Sequence, residues 1–435
     1  MRHLLIGSGA AALAAAEAIR RAEPAARLTL VTEEPHGFYS RPGLAYLLTG
    51  AVPAAQLQVR TRAEVEALGI ERVTDRATLI RPDAQRVVLA SGRELPYDRL
   101  LLATGARSIT PDFPGASLPG IHLLDGLDQT MEILRQARRR TRAVVVGGGS
   151  TALEMVEGLH ARGVETHYFL RGERFWSRTL DPEESALVEA RLAAAGIRLH
   201  HRTEVARALE RRGRLGGVQT TTGAIVPCEL LCVATGVRPR TELARASGIA
   251  VDRGVLVDQY LETSAPGIHA AGDVAQVRDA GGGPAVLDTL WASAINQGRT
   301  AGENMAGART AYRRPVPLNV TCLAGLVTTV MGDVGGEADP DLITITRGQS
   351  EGWHLGHGPA SVTGHQGPSR IRLCLSEREL TGAVVMGDQS LAGTVQQLIA
   401  ERIDITPIRA ELLRHPERLG PTLTRFADSL RGRVA

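Results

Sequence analysis

Two short stretches carry residue types that could hold a phosphorylated ligand. Gly7-x-Gly9-x-x-Ala12 follows the apolar run "HLLI", and Gly147-x-Gly149-x-x-Ala152 follows "AVVV". In such a loop the first glycine permits a tight turn and the second lets the backbone approach a pyrophosphate. The small third residue lets the helix pack on the strand, and the helix N-terminus offers unpaired N–H groups to the anion. One such loop is a weak signal, because glycine turns also serve plain strand-to-helix connections. Here each loop is followed by a second strand, "RLTLVTEE" at 27–34 and "ETHYFLR" at 165–171. Each is also followed by a strand ending in the same turn, "LLLATGARS" at 100–108 and "LCVATGVRP" at 231–239. The repeat predicts a dinucleotide-binding unit used twice.

The units differ where the second strand ends. Glu33 stands where a carboxylate accepts hydrogen bonds from a ribose, so the first unit is expected to hold an adenosine ribose, with FAD the natural ligand. Its neighbour Glu34 reads as a solvated turn residue, or as the one that exchanges roles with it. The second unit ends instead in Leu170 and Arg171. NAD-selective sites place an acid there, whereas Arg171 and Arg174 could grip a 2′-phosphate, or be two exposed arginines on a loop. The pattern leans toward NADPH, or toward acceptance of both nucleotides. Downstream, Gly272-Asp273 ends a further strand, and Asp273 could accept from the ribityl chain of a flavin or cap the turn. "DTLWASAINQGRTAGENMAG" then reads as a helix capped by Asp288 or Thr289. Its free amides near Leu290 and Trp291 would stabilise negative charge on a reduced flavin, since the chain has no lysine for that task.

Composition sets the frame for these units. A chain of 435 residues with 48 glycines fits an α/β protein of two to three domains. A net charge of +3 implies no nucleic-acid partner, and no uncharged apolar run is long enough for a membrane helix. The basic start and short apolar stretch of "MRHLLIGSGAAALAAAEAI" is not read as a signal peptide, because cleavage would remove the first glycine loop. Cys228, Cys232, Cys322 and Cys374 have neither redox nor zinc spacing and read as core packing, with no metal site. A soluble, cytoplasmic protein is expected.

The pieces GSGAAA, EPHGFYSRPGL, YDRLLLATGARS, GGGSTALE, VATGVRP, GIHAAGD and WASAINQGRTAGENMAG together resemble the pyridine nucleotide-disulfide oxidoreductase superfamily. The likeness is to its cysteine-free branch of rubredoxin and ferredoxin reductases and the FAD/NAD portion of nitrite reductases. It runs through residues 1–310 and is loose beyond. It implies an α/β fold with two Rossmann-like domains, one inserted in the other, plus a C-terminal α+β domain. The FAD domain would comprise residues 1–110 and 242–310, the NAD(P) domain 111–241, and the C-terminal domain 311–435. FAD would be held by Gly7, Gly9, Ala10, Ala12, Glu33, Arg41, Pro42, Ala77, Thr104, Gly105, Gly272, Asp273, Leu290 and Trp291. NADH or NADPH would lie against Gly147, Gly149, Ala152, Arg171, Arg174, Thr235 and Gly236.

The resemblance also raises a problem of electron exit. Disulfide-reducing members carry a flavin-proximal cysteine in the segment that here reads "GFYSRPGLAYLLTG", with Ser40, Arg41 and Pro42 in its place. Hydride is expected to pass from the nicotinamide to flavin N5, with the rings about 3–3.5 Å apart. Electrons would then leave the flavin directly. The implied activity is an FAD-dependent NAD(P)H:acceptor oxidoreductase. The acceptor could be a small redox protein such as rubredoxin or ferredoxin, a small molecule, or oxygen, as in an NAD(P)H oxidase. A flavoprotein redox switch that binds partners is the other class, and a homodimer is a further option. Glu154 matches a glutamate near the nicotinamide that relatives pair with a lysine at the position of Tyr46. Here its partner would be Arg41 or the Tyr46 hydroxyl, or its place in the first helical turn would have dipole reasons alone.

Overall fold

The structure is a computed structural model that describes residues 1–278, 284–334, 369–415 and 418–431. Each glycine loop opens a five-stranded parallel sheet. The first sheet runs, side by side, Ile268–Ala270, Arg99–Leu102, Arg2–Ile6, Arg27–Thr32 and Ile70–Thr74. The second runs Ile121–His122, Leu230–Val233, Arg142–Val146, Glu165–Phe169 and Arg198–His200. The four strands around each loop follow the same order, but the outer edge strand comes last in the chain in the first sheet and first in the second. The first sheet receives its last edge strand only after the whole second sheet has been made, so one unit is nested in the other. Leu4, Leu5, Leu100, Leu101, Val144, Val145 and Leu231 are at most 1% exposed. Helices cover both faces of such sheets, which is why these strands read as unbroken apolar runs. The α/β class with paired dinucleotide-binding units is the one the sequence implies.

The glycine positions follow from contact. Gly7 has φ +110°, and a Cβ there would fall on the Ala103 carbonyl oxygen. Gly147 has φ +146°, and its Cβ would fall on the Ala234 carbonyl oxygen. Only glycine fits such a turn against a neighbouring backbone. Ala103 and Ala234 are the alanines of the two "ATG" turns, so loop and turn recur together because they touch. After these turns, Ala106–Ser108 pairs antiparallel with Val237–Pro239, which ties the two units by a short ribbon.

The helix Ala10–Ala22 packs along the helix Trp291–Met305. A Cβ on Gly298 would collide with the backbone of Ala11, and one on Gly302 with that of Ala15. The two helices therefore run parallel, 298 over 11 and 302 over 15. Trp291 projects past Ala10 by six residues, about 9 Å at the helical rise. Both N-termini face the side of the first glycine loop.

A four-stranded antiparallel sheet follows in the order Leu318–Leu323, Leu326–Gly332, Leu380–Met386 and Arg370–Leu375. Its first hairpin turns through Ala324 and Gly325, both left-handed (φ +49° and +76°), the geometry that suits strand twist. The amphipathic stretch 411–433 is not one solvated helix. Residues Thr406–Arg414 and Leu419–Arg431 form two helices that bury Ile408, Leu412, Leu423 and Phe426 against this sheet. Residues 416, 417, 432 and 433 of that stretch lie outside the described residues.

Candidate functional site

Gly9 and Gly149 are the N-cap residues of the two loop helices, and neither carries a side chain that could cap the first-turn amides. A Cβ built on Gly9, Gly148 or Gly149 would meet nothing within 4 Å. Each loop thus offers helix-end N–H groups and empty space beside them, which is what a pyrophosphate needs. Ala12 and Ala152 are fully buried where helix crosses strand.

Around the first loop, Glu33 lies one residue past the strand Arg27–Thr32, with its side chain 56% exposed and 3.7 Å from Arg76. Ala77 begins the strand Ala77–Arg81 directly after that arginine. Glu34 corrects the expectation of a solvated turn. It accepts from Arg41 Nη2 at 2.7 Å and from the Tyr39 hydroxyl at 3.4 Å, and its Oε2 is buried without a partner. Arg41 also donates to the Asp125 carbonyl at 2.5 Å and lies over the Tyr39 ring. Burial opposes the Arg41 charge, but Tyr39, Glu34 and Asp273 outweigh it and raise its pKa. Asp273 follows Gly272, whose φ of +79° turns the chain and whose N–H donates to Gln297 Oε1 at 2.8 Å. Ser40 is 3% exposed and accepts from the Gly43 amide at 3.1 Å, so it serves the turn into the helix Leu44–Thr49 that carries Tyr46. Pro42 sits between them. Thr104 donates to the Arg240 carbonyl at 3.1 Å, and Gly105 turns with φ +67°.

The helix Trp291–Met305 starts one step later than its sequence suggests. Its N-cap is Leu290, with no side-chain cap. Asp288 instead accepts from the Leu290 amide at 3.2 Å and from Ser293 Oγ at 2.7 Å. Neither Asp288 nor Thr289 is the cap, and the Leu290 amide is engaged. An Asx turn reaches the amide two residues on, and in sequence it looks the same as a cap. The first-turn amides from Trp291 onward remain the ones a ligand would meet.

The second loop floors a cleft of about 650 Å³. Leu170, Arg171, Arg174, Thr235 and Gly236 line it as the sequence suggests, together with Trp176, Arg178 and Glu204, which the sequence did not single out. Trp176 holds φ +48° while its amide donates to the Gly148 carbonyl at 2.9 Å, folding the arginine-rich loop onto the glycine loop. Thr151 Oγ1 and Arg174 Nε are buried without partners on the same cleft wall. Residues of the second unit therefore fit a charged nucleotide. Only the pairing of Ser150-Thr151 with the preceding glycines could have signalled Thr151 in advance.

Glu154 is the fifth residue of the helix Ser150–Ala161, past the first turn in which the sequence places it, and the Arg41 guanidinium bonds Glu34 and the Asp125 carbonyl. Within Ser150–Ala161, Glu154 lies one turn before Glu157. Burial, then the Glu154 charge, push the Glu157 carboxyl up from 4.5 to about 8, against backbone donors at Ala324 and Gly325. Burial raises the thiols as well. All four cysteines are free, and burial pushes Cys228 and Cys232 up to about 12 and Cys322 up to about 11. Burial raises Cys374 as well. Among the described residues there is no metal-binding cluster of His, Cys, Asp and Glu, and no helix is long and apolar enough to cross a membrane.

Residues 1–298 match the family described as pyridine nucleotide-disulphide oxidoreductase. The chain belongs to this family. It is 29% identical over 427 residues to the epsilon subunit of an NADH-dependent phenylglyoxylate dehydrogenase from Aromatoleum evansii, covering 96% of each chain. It is 32% identical over 349 residues to the ferredoxin–NAD(+) reductase component of a biphenyl dioxygenase system from Paraburkholderia xenovorans, covering 80% of this chain and 84% of that one. Among solved structures it is similar to a ferredoxin reductase from Rhodopseudomonas palustris, with 28% identity and a TM-score of 0.80 over 93% of this chain and 96% of the other. The protein is an oxidoreductase whose cofactors are FAD and a nicotinamide nucleotide.

Proposed function

We propose that this protein is a cytoplasmic reductase component that takes hydride from NAD(P)H and passes electrons from FAD to a small redox protein. When bound, FAD supplies the change from a hydride donor to an acceptor of single electrons. Residues 1–110 and 242–310 would hold FAD. The Gly7 and Gly9 turn and the helix-end amides from Ala10 would take its pyrophosphate, and Glu33 its ribose. Asp273 would take the ribityl chain, and the N-terminus at Trp291 the ring. Residues 111–241 would receive the nucleotide over Gly147 and Gly149, with Thr151 Oγ1 and the arginines 171, 174 and 178 on its phosphates. Arg41, fixed by Glu34 and Tyr39, would shape the flavin side of the site, and Glu154 the nicotinamide side.

The observation that carries this reading is the replacement of a redox thiol. Ser40 serves a turn where disulfide-reducing members have cysteine, and burial raises every cysteine thiol of the chain. Electrons have no protein thiol to visit. The relatives named as ferredoxin reductase components support a protein acceptor. A relative named NADH oxidase, 29% identical over 324 residues, supports oxygen as the second reading. The deciding experiment reduces the protein with NADH or NADPH without oxygen, then mixes it with rubredoxin, a ferredoxin or oxygenated buffer. Reoxidation fastest with a carrier protein supports the proposal. Reoxidation fastest with oxygen, or no rapid flavin bleaching at all, refutes it.

A further inference from the structure

The strand Leu318–Leu323 contains a residue at odds with its surroundings. Asn319 is 1% exposed, and neither its Oδ1 nor its Nδ2 has a hydrogen-bonding partner. Across the hairpin it faces Val330. Native cores leave a buried carboxamide unpaired on both atoms only where something else supplies the partner, because the desolvation is costly. Asn319 lines a cavity of about 140 Å³ whose other walls include Leu290, Thr179, Val330 and Val334. Leu290 is the N-cap of the helix Trp291–Met305. The orphan amide therefore opens onto the helix end assigned above to the flavin ring.

A carboxamide presents a donor and an acceptor side by side. The imide edge of an isoalloxazine, an N–H flanked by carbonyl groups, presents the complementary pair. We propose that Asn319 binds this edge: Nδ2 donates to a ring carbonyl and Oδ1 accepts from the ring N–H. The inference rests on FAD occupying the first unit. It also gives the C-terminal sheet a role, since its first strand would close the flavin site from a region the glycine motifs do not reach. A donor on a ring carbonyl stabilises the negative charge of the reduced ring, so Asn319 would hold the flavin potential up as well as hold the ring.

The test compares purified holoprotein with Asn319→Leu and Asn319→Asp. FAD dissociation is read from recovered flavin fluorescence on dilution, the midpoint potential by equilibration with redox dyes, and NAD(P)H affinity by titration. Asn319→Leu should bind FAD about tenfold less tightly, the scale of one buried hydrogen-bonded pair, with a lower potential and unchanged NAD(P)H affinity. Asn319→Asp keeps the volume, loses the donor and adds charge, so its potential should fall further. If the leucine variant fails to fold, the aspartate variant alone decides. Unchanged FAD affinity and potential would overturn the inference and leave water as the partner of the amide. An effect on NAD(P)H affinity alone would overturn it too. A parent protein that takes up no FAD would sink the proposed function itself, which is a separate failure.

Discussion

The two glycine loops share the order of their four central strands, their crossing geometry and their glycine N-caps, but their surroundings differ. The helix after the first loop is clamped along its length, with Gly298 and Gly302 pressed on the backbone of Ala11 and Ala15. The helix after the second loop meets its neighbour at Gly158, where a Cβ would lie 2.6 Å from the Leu48 side chain, and its loop is left under a cleft of about 650 Å³. One phosphate-binding device can thus serve two tenancies. Packed between helices it suits a cofactor that stays, and beside an open arginine-lined cleft it suits a nucleotide that exchanges.

The sharpest break of this comparison is Gly298→Val. Its Cβ would collide with the Ala11 backbone, so the clamp must open. The cost is expected to be about 1–3 kcal/mol, seen as a lower Tm and loss of flavin on gel filtration, whereas the second cleft should keep its nucleotide affinity. Next come Gly9→Ala and Gly149→Ala, whose added methyl groups meet no protein atom and whose φ values of −90° and −116° suit alanine. Neither should change the Tm of the flavin-free protein. Gly9→Ala should weaken FAD about tenfold and Gly149→Ala should weaken NAD(P)H about tenfold, if a phosphate takes that space. A Gly149→Ala protein with unchanged nucleotide affinity would refute the second-loop assignment. Smaller again is Arg171→Ala, expected to lower kcat/KM for NADPH relative to NADH by about fivefold through loss of one exposed charge on the 2′-phosphate; an unchanged ratio removes Arg171 as its reader.

The smallest effect concerns Glu157, between the second-loop helix and the C-terminal hairpin. Its carboxyl is pushed up from 4.5 to about 8, so the folded protein holds this proton more tightly than the unfolded chain. The stability it contributes is full below the unfolded value and is lost as pH rises through the folded one. Glu157→Gln should therefore raise Tm by roughly 2–4 °C at pH above about 8 and change little near pH 4.5. A uniform shift across that range would mean that the carboxyl does not titrate there.

Much of this was legible in the sequence because it depends on local chemistry. The crossings at Gly7 and Gly147 and the small residues Ala12 and Ala152 follow from short-range spacing. What was not legible depends on partners distant in the chain. Arg41 could have faced Glu154, and only the fold commits it to Glu34 and the Asp125 carbonyl. Asp288 has the composition of a cap but bonds two residues on. Asn319 falls in an alternating strand where a polar residue reads as solvent-facing, yet the sheet places it inside.

The claim at the centre of the account is that the flavin is the only redox group between nucleotide and acceptor. Anaerobic titration of the purified holoprotein with NADH or NADPH, followed by flavin absorbance, tests it most directly. A single equivalent of nucleotide per FAD should complete the bleaching, with no long-wavelength thiolate-to-flavin band at any point. Consumption of a second equivalent by the protein, or the appearance of that band, would place a thiol in the path and contradict the account.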